Sequence, residues 1–301
     1  MDYQTDISTL SEETFLALQE LEPSPIDSPE DEDWKLSESR SSASRSSILG
    51  LSGRGATFYL RRIQKYSSYA FTVYASIHLT NTSLIPLITR SVPASETFLL
   101  LTRPFYQSPI FEPAVVILPI AAHVLSGLAL RVRRRNQILT RYGASNLPIS
   151  KRLEQHLKVW PPISWSSISG YMLMPLVLGH AYVNRFLPWY YEGGSSSVGL
   201  AFVSHSFAKH PAISYAGYVA LIGIGAGHFV WGISRWMNWL PVGKDKKAKK
   251  RWWALNGVSA LVTALWMAGG FGVIATGGKA DGWEGRGYDQ LLAKVPLIKL
   301  N

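Results

Sequence analysis

Cysteine is absent from this chain. That excludes disulfides, thiolate nucleophiles, iron–sulfur clusters and cysteine-ligated zinc. Acidic residues are scarce beyond position 38: the last 263 residues hold eight of them against 29 Lys and Arg, a net charge of +21. Residues 1–38 reverse this, with twelve acids and Lys35 as the one base. An acid-rich start is unlike a cleaved mitochondrial presequence, and no apolar run opens the chain as it opens a signal peptide. What remains is 301 residues, 47 % hydrophobic, with 11 Trp and a formal charge of +10. The mean hydropathy of +0.06 hides how unevenly the apolar residues are spread.

Five long windows contain no Asp, Glu, Lys or Arg: 66–89, 113–130, 159–184, 210–234 and 252–278. A helix rising 1.5 Å per residue needs about 20 residues to cross a hydrocarbon core of roughly 30 Å. The windows therefore predict an all-α integral membrane protein with five transmembrane helices spread over residues 66–278. Residues 1–50 read as a disordered acidic tail, 51–65 as a juxtamembrane segment and 279–301 as a C-terminal tail. Small residues prepare close helix contacts: Gly223 and Gly227 form a GxxxG pair, and Gly269, Gly270 and Gly272 thin the fifth helix.

Bases gather on alternate sides of these windows. The segment before helix one and the loops after helices two and four hold nineteen Lys and Arg, against eight in the opposite loops and C-terminal tail. By the positive-inside rule the N-terminus faces the cytosol and the C-terminus the far side. The runs 131–135 and 244–251 read as topogenic or lipid-attracted charge, so no nucleic-acid partner is expected.

Helices one and three resemble each other. Placing His78 on His180 also places Ser67 on Ser169, Tyr69 on Tyr171 and Pro86 on Pro188. Helices two and four align as His123-Val-Leu-Ser-Gly127 over His228-Phe-Val-Trp-Gly232. The chain thus predicts a parallel internal repeat, helices 1–2 on helices 3–4, about a pseudo-two-fold axis along the membrane normal. Each of the first four helices carries one intramembrane histidine, a costly residue in a bilayer. Imidazole is a good axial ligand, so His78, His123, His180 and His228 are candidate ligands of haem iron. Gly127 and Gly232, four residues on, would leave room for a porphyrin edge. The repeat would pair His123 with His228 and His78 with His180, stacking two haem b sites across the membrane. The competing reading is interhelical hydrogen bonding by His, Ser and Tyr. No carboxylate lies in the windows, so a proton-coupled transporter lacks its usual residues, and no catalytic residue is assigned.

In the tail, Thr9 and Glu12 have capping-box spacing, and Leu10, Phe15, Leu18 and Leu21 form one apolar stripe. Glu22-Pro23-Ser24-Pro25 follows, an extended element suited to a groove or sheet edge. Leu18, Leu21, Pro23 and Pro25 are the candidate partner-binding residues.

The five-helix region with its histidine motifs, together with the tail ending Leu21-Glu22-Pro23-Ser24-Pro25, resembles the fungal mitochondrial outer-membrane MCP proteins. That resemblance implies a non-enzymatic adaptor that recruits the bridge-like lipid-transfer protein, vacuolar protein sorting protein thirteen, through the Pro-x-Pro element. It implies vacuole–mitochondrion contacts, mitochondrial lipid homeostasis and a membrane domain proposed to scramble phospholipids. It also places the N-terminus in the cytosol and the C-terminus in the intermembrane space. The helices are similar as well to the haem-carrying cytochrome b subunits of succinate dehydrogenase and fumarate reductase, although no quinone-site or flavoprotein-docking loop is present. The alternative is therefore a di-haem b-type cytochrome moving electrons across the membrane.

Overall fold

The computed structural model describes residues 55–141, 148–150, 160–296 and 298. The chain divides into two units, Met1–Tyr59 and Leu60–Asn301, and the packing that follows belongs to the second. Residues 1–54, with the tail motif at Leu18, Leu21, Pro23 and Pro25, lie outside the described residues.

Helix α1 occupies residues 56–89, as the turns Ala56–Leu79 and Ile85–Thr89 joined by a π-turn at Thr80–Leu84. Its hydroxyls are satisfied within the helix: Ser68, Thr72, Ser76, Thr80 and Thr82 donate to carbonyls three or four residues earlier at 2.6–2.9 Å. Such back-bonding suits a solvent that offers no partners. The π-turn has an evident cause. A proline ring collides with the carbonyl four residues before it, and widening the turn ahead of Pro86 carries that carbonyl aside.

The chain then reverses at Arg90, whose φ of 50° is left-handed. Helices α2 (Val92–Thr102) and α3 (Pro104–Gln107) lead back alongside α1. Asn81 donates to Thr102 at 2.7 Å, which ties α2 to the π-turn. Helix α4 covers 112–141, starting as the π-turn Glu112–Ile117 and continuing as Leu118–Arg141. Helix α5 covers 165–192, again with a π-turn, Tyr182–Phe186, before a proline, Pro188. It ends at the left-handed Gly193. Helix α6 (Leu200–Lys209) returns, and α7 (Pro211–Trp236) follows. Helix α8 covers 246–274, capped by Asp245, whose carboxylate accepts from Ala248 N–H at 3.0 Å. The last helix is α9, Gly282–Leu292.

Among the described residues the fold is helical, with no strand. Three helices are long and apolar enough to cross a membrane: Glu112–Thr140, Pro211–Trp236 and Lys246–Ile274. The first and third windows are also helical, in α1 and α5, but their Ser, Thr, Asn and His residues hold them below that apolarity. The helices overrun the windows because a span extends past the hydrocarbon, whereas a window stops at its first charge. Hence α1 takes in most of the segment 51–65, and α4 carries Arg131–Arg135 on its last turns. The segment 279–301, expected as a tail, instead holds α9.

The two conventional apolar cores sit at one end of the molecule. One unites Leu187, Val198, Phe202, Tyr288, Leu291, Leu292 and Val295; the other unites Val92, Leu99, Leu200 and Ile274. Helices α2, α6 and α9 thus form a packed cap. Along the helices themselves large apolar side chains face outward, Val73 at 62 % and Leu261 at 68 % exposure, as a lipid solvent allows.

Candidate functional site

The intramembrane histidines form two pairs. The rings of His78 and His180 stand 5.9 Å apart between centroids, at 71° to each other. Those of His123 and His228 stand 6.2 Å apart at 87°. Among the described residues no hydrogen bond joins the two rings of either pair.

The pair His123/His228 sits where α4 and α7 meet α1 and α5. His123 Nδ1 lies 3.1 Å from the carbonyl of Gln64, to which Ser67 also donates at 3.2 Å. His228 Nδ1 lies 3.1 Å from Ser169 Oγ, and that hydroxyl donates to the Ser166 carbonyl at 3.1 Å. Gln64 and Ser166 each lie fourteen residues before the histidine of their own helix, so the repeat extends to the groups that orient the rings. Gly170 lets this happen, because a Cβ there would stand 3.0 Å from His228 Cε1.

The pair His78/His180 lies deeper. Gln64 marks the level of His123 on α1, and His78 is fourteen residues on, about 21 Å at 1.5 Å per residue. Tyr74 stacks on His78 at 5.7 Å, Tyr106 packs on Tyr74 at 5.3 Å, and Tyr218 meets His180 edge-on at 5.6 Å. His180 Nδ1 has the Asn184 amide at 3.4 Å. Each deep histidine is followed two residues later by the π-turn of its helix.

The glycines expected to flank a porphyrin differ from each other. A Cβ on Gly232 would meet nothing within 4 Å, but one on Gly127 would stand 2.9 Å from Gln64 Nε2. The space beside Gly127 is filled by that amide and is not an open slot. Among the described residues no cluster of three or more His, Cys, Asp or Glu could hold a metal ion.

Several functional groups escaped sequence reasoning. The Gln64 carbonyl carries no residue signature, although the match of Ser67 with Ser169 pointed to it. Glu112 lies one residue outside the second window; its carboxylate accepts from Arg185 Nε at 2.7 Å, and Arg185 Nη1 donates to Ser195 Oγ at 2.6 Å. The charges thus neutralise each other in the low dielectric. A groove of about 360 Å³ opens on the outer face, lined by Ser76, Thr80, Asn81, Thr102, Phe98 and Leu101 among others.

Residues 175–279, which include His180, His228, α6 and α8, match the family model described as MDM10-complementing protein 1, transmembrane domain. The chain carries the membrane domain of the MCP family. No curated protein and no solved structure matches the chain. The MCP match begins ten residues into α5, at Pro175, and stops after α8, so it covers the second repeat and the fifth helix.

Proposed function

We propose that this MCP-family membrane protein is a mitochondrial outer-membrane adaptor. Its acidic tail recruits a bridge-like lipid-transfer protein of the vacuolar-protein-sorting-thirteen kind to an organelle contact. The observation that carries the reading is the family match over residues 175–279, and the Pro23-Ser24-Pro25 element supplies a docking segment beside it. The charge pattern supports the geometry. Helix α1 begins at Ala56, directly after the tail and beside Arg61, Arg62 and Lys65. Such bases hold that end in the cytosol, where a soluble partner can be met. Immobilised full-length chain should capture the lipid-transfer protein from solution, and Pro23→Ala with Pro25→Ala should reduce capture at least tenfold. Undiminished capture by the double variant would refute tail docking.

The groove beside α1 supports a second element of this reading, passage of phospholipid headgroups between leaflets. It sets four polar side chains against Phe98 and Leu101 on a surface that meets lipid. Ser76 and Thr80 donate to their own helix, and their remaining lone pairs can accept from an ammonium headgroup. Vesicles containing the chain and a fluorescent phospholipid should lose nearly all signal to a membrane-impermeant quencher. Protection of half the label, as in empty vesicles, counts against scrambling.

A further inference from the structure

We infer that the two histidine pairs are bis-imidazole sites for two molecules of non-covalently bound iron protoporphyrin, one near the basic end of the bundle and one about 21 Å deeper. The inference rests on the histidines and is independent of the tail and of the lipid groove.

The separation between rings is the first argument. A metal–imidazole bond is about 2 Å, and the ring centre lies about 1.1 Å beyond the nitrogen. Two imidazoles on opposite sides of one iron therefore place their centroids about 6 Å apart. The observed 5.9 and 6.2 Å match this at both sites. A direct hydrogen bond between the rings, with nitrogens about 2.9 Å apart, would draw collinear centroids to about 5 Å. Edge-to-face packing also spans this range. Packing alone, however, gives no reason to place four histidines in helices where ionisable groups are costly.

The second argument is the partnering of the ring nitrogens. A metal-bound histidine offers one nitrogen to the metal and gives the other to a carbonyl, hydroxyl or carboxylate that orients the ring. His123 and His228 are held in this way through Nδ1, by the Gln64 carbonyl and the Ser169 hydroxyl. Their Nε2 atoms, and that of His180, have no hydrogen bond in the structure. The arrangement recurs in both halves of the repeat, as two equivalent ligands of one central group require.

The third argument concerns the class of ligand. Each pair supplies two nitrogens, the number that a six-coordinate haem takes from protein, while a tetrahedral zinc site needs four ligands in all. With no cysteine in the chain, attachment through the usual thioether motif is excluded. The group is therefore of b type. With both axial positions filled by histidine, it is suited to electron transfer or to bracing the helices, and it leaves no open position for oxygen.

The test uses the full chain, expressed with added haemin and purified in detergent. Pyridine haemochromogen analysis should give two protoporphyrins per chain, with a Soret band of low-spin iron. Imidazole planes at 71° and 87° should give strongly anisotropic low-spin ferric EPR signals. His123→Ala and His228→Ala should each remove the same spectral component, and His78→Ala and His180→Ala the other, each lowering the stoichiometry from two to one. Should an alanine variant fail to fold, His228→Gly grown and purified with imidazole should regain the lost component. A folded wild-type chain without a Soret band after haemin supplementation would overturn the inference. So would one haem per chain, metal without porphyrin, or haem that survives all four substitutions.

Discussion

Asp289 shows how single side chains hold the cap in place. Its carboxylate accepts from His205 Nε2 at 3.0 Å and from Lys209 Nζ at 3.0 Å, joining α9 to α6. His205 Nδ1 meanwhile accepts from Ala280 N–H at 3.1 Å, which leaves the ring proton on Nε2. The hydrogen bond from His205, followed by that from Lys209, holds the Asp289 carboxyl below its ordinary value of 3.8. A lowered value in the folded state means the contribution is complete above pH 3.8 and fades as pH falls through the folded value. Amide hydrogen exchange in 282–292, corrected for intrinsic rate, should therefore rise only below about pH 4. Asp289→Asn should show the raised exchange already at neutral pH; equal protection in the variant would assign the docking to the apolar contacts alone. The histidines in the membrane were legible at this scale because an ionisable residue in an apolar run stands out. The groups that orient them were not: the Gln64 carbonyl is backbone, and every residue has one.

Among the helices, α8 is held against the π-turn of α1 more tightly than any side chain permits. A Cβ on Gly269 would lie 2.1 Å from the Ser83 carbonyl oxygen, while Ser83 Oγ donates to the Leu265 and Trp266 carbonyls at 2.8 and 3.0 Å. The clash is with backbone, so relief requires the helices to part. Gly269→Val should cost at least about 1–3 kcal/mol, the usual penalty of overpacking, read as a fall in thermal stability in detergent. Gly257→Ala on the same helix meets nothing within 4 Å and should be neutral or stabilising by up to about 1 kcal/mol. Equal behaviour of the two would show that the approach of α8 to α1 carries no stability. The windows located these helices because hydrocarbon length and apolar length are one constraint. They missed α2, α6 and α9, whose apolar faces are short and pack on one another in a cap. The π-turns were hidden too, although Pro86 and Pro188 already marked where a regular helix meets an obstacle.

The molecule as a whole is two copies of one design with an added helix. In both, a long helix carries a histidine, widens into a π-turn, passes a proline and ends in a left-handed residue, Arg90 or Gly193. A short helix then leads back, and a second long helix supplies the other histidine. The four matched residues around His78 and His180 were enough to reveal this pattern in the sequence. The cap was beyond reach, because α9 lies after the last window in a segment whose charge resembles a tail. The lipid-facing surface was accessible to composition, since the solvent, and not a core, selects those residues.

The paired π-turns also record an order of events. A π-turn holds one residue more than the α-turn it replaces, and both copies hold it two positions after the histidine. The extra residue was therefore in place before the chain was doubled. At that stage a single helical hairpin had one histidine of each kind, and neither site was complete within it. Two identical hairpins had to meet face to face, so the ancestor of this bundle was a symmetric dimer, later fused and then buttressed by α8.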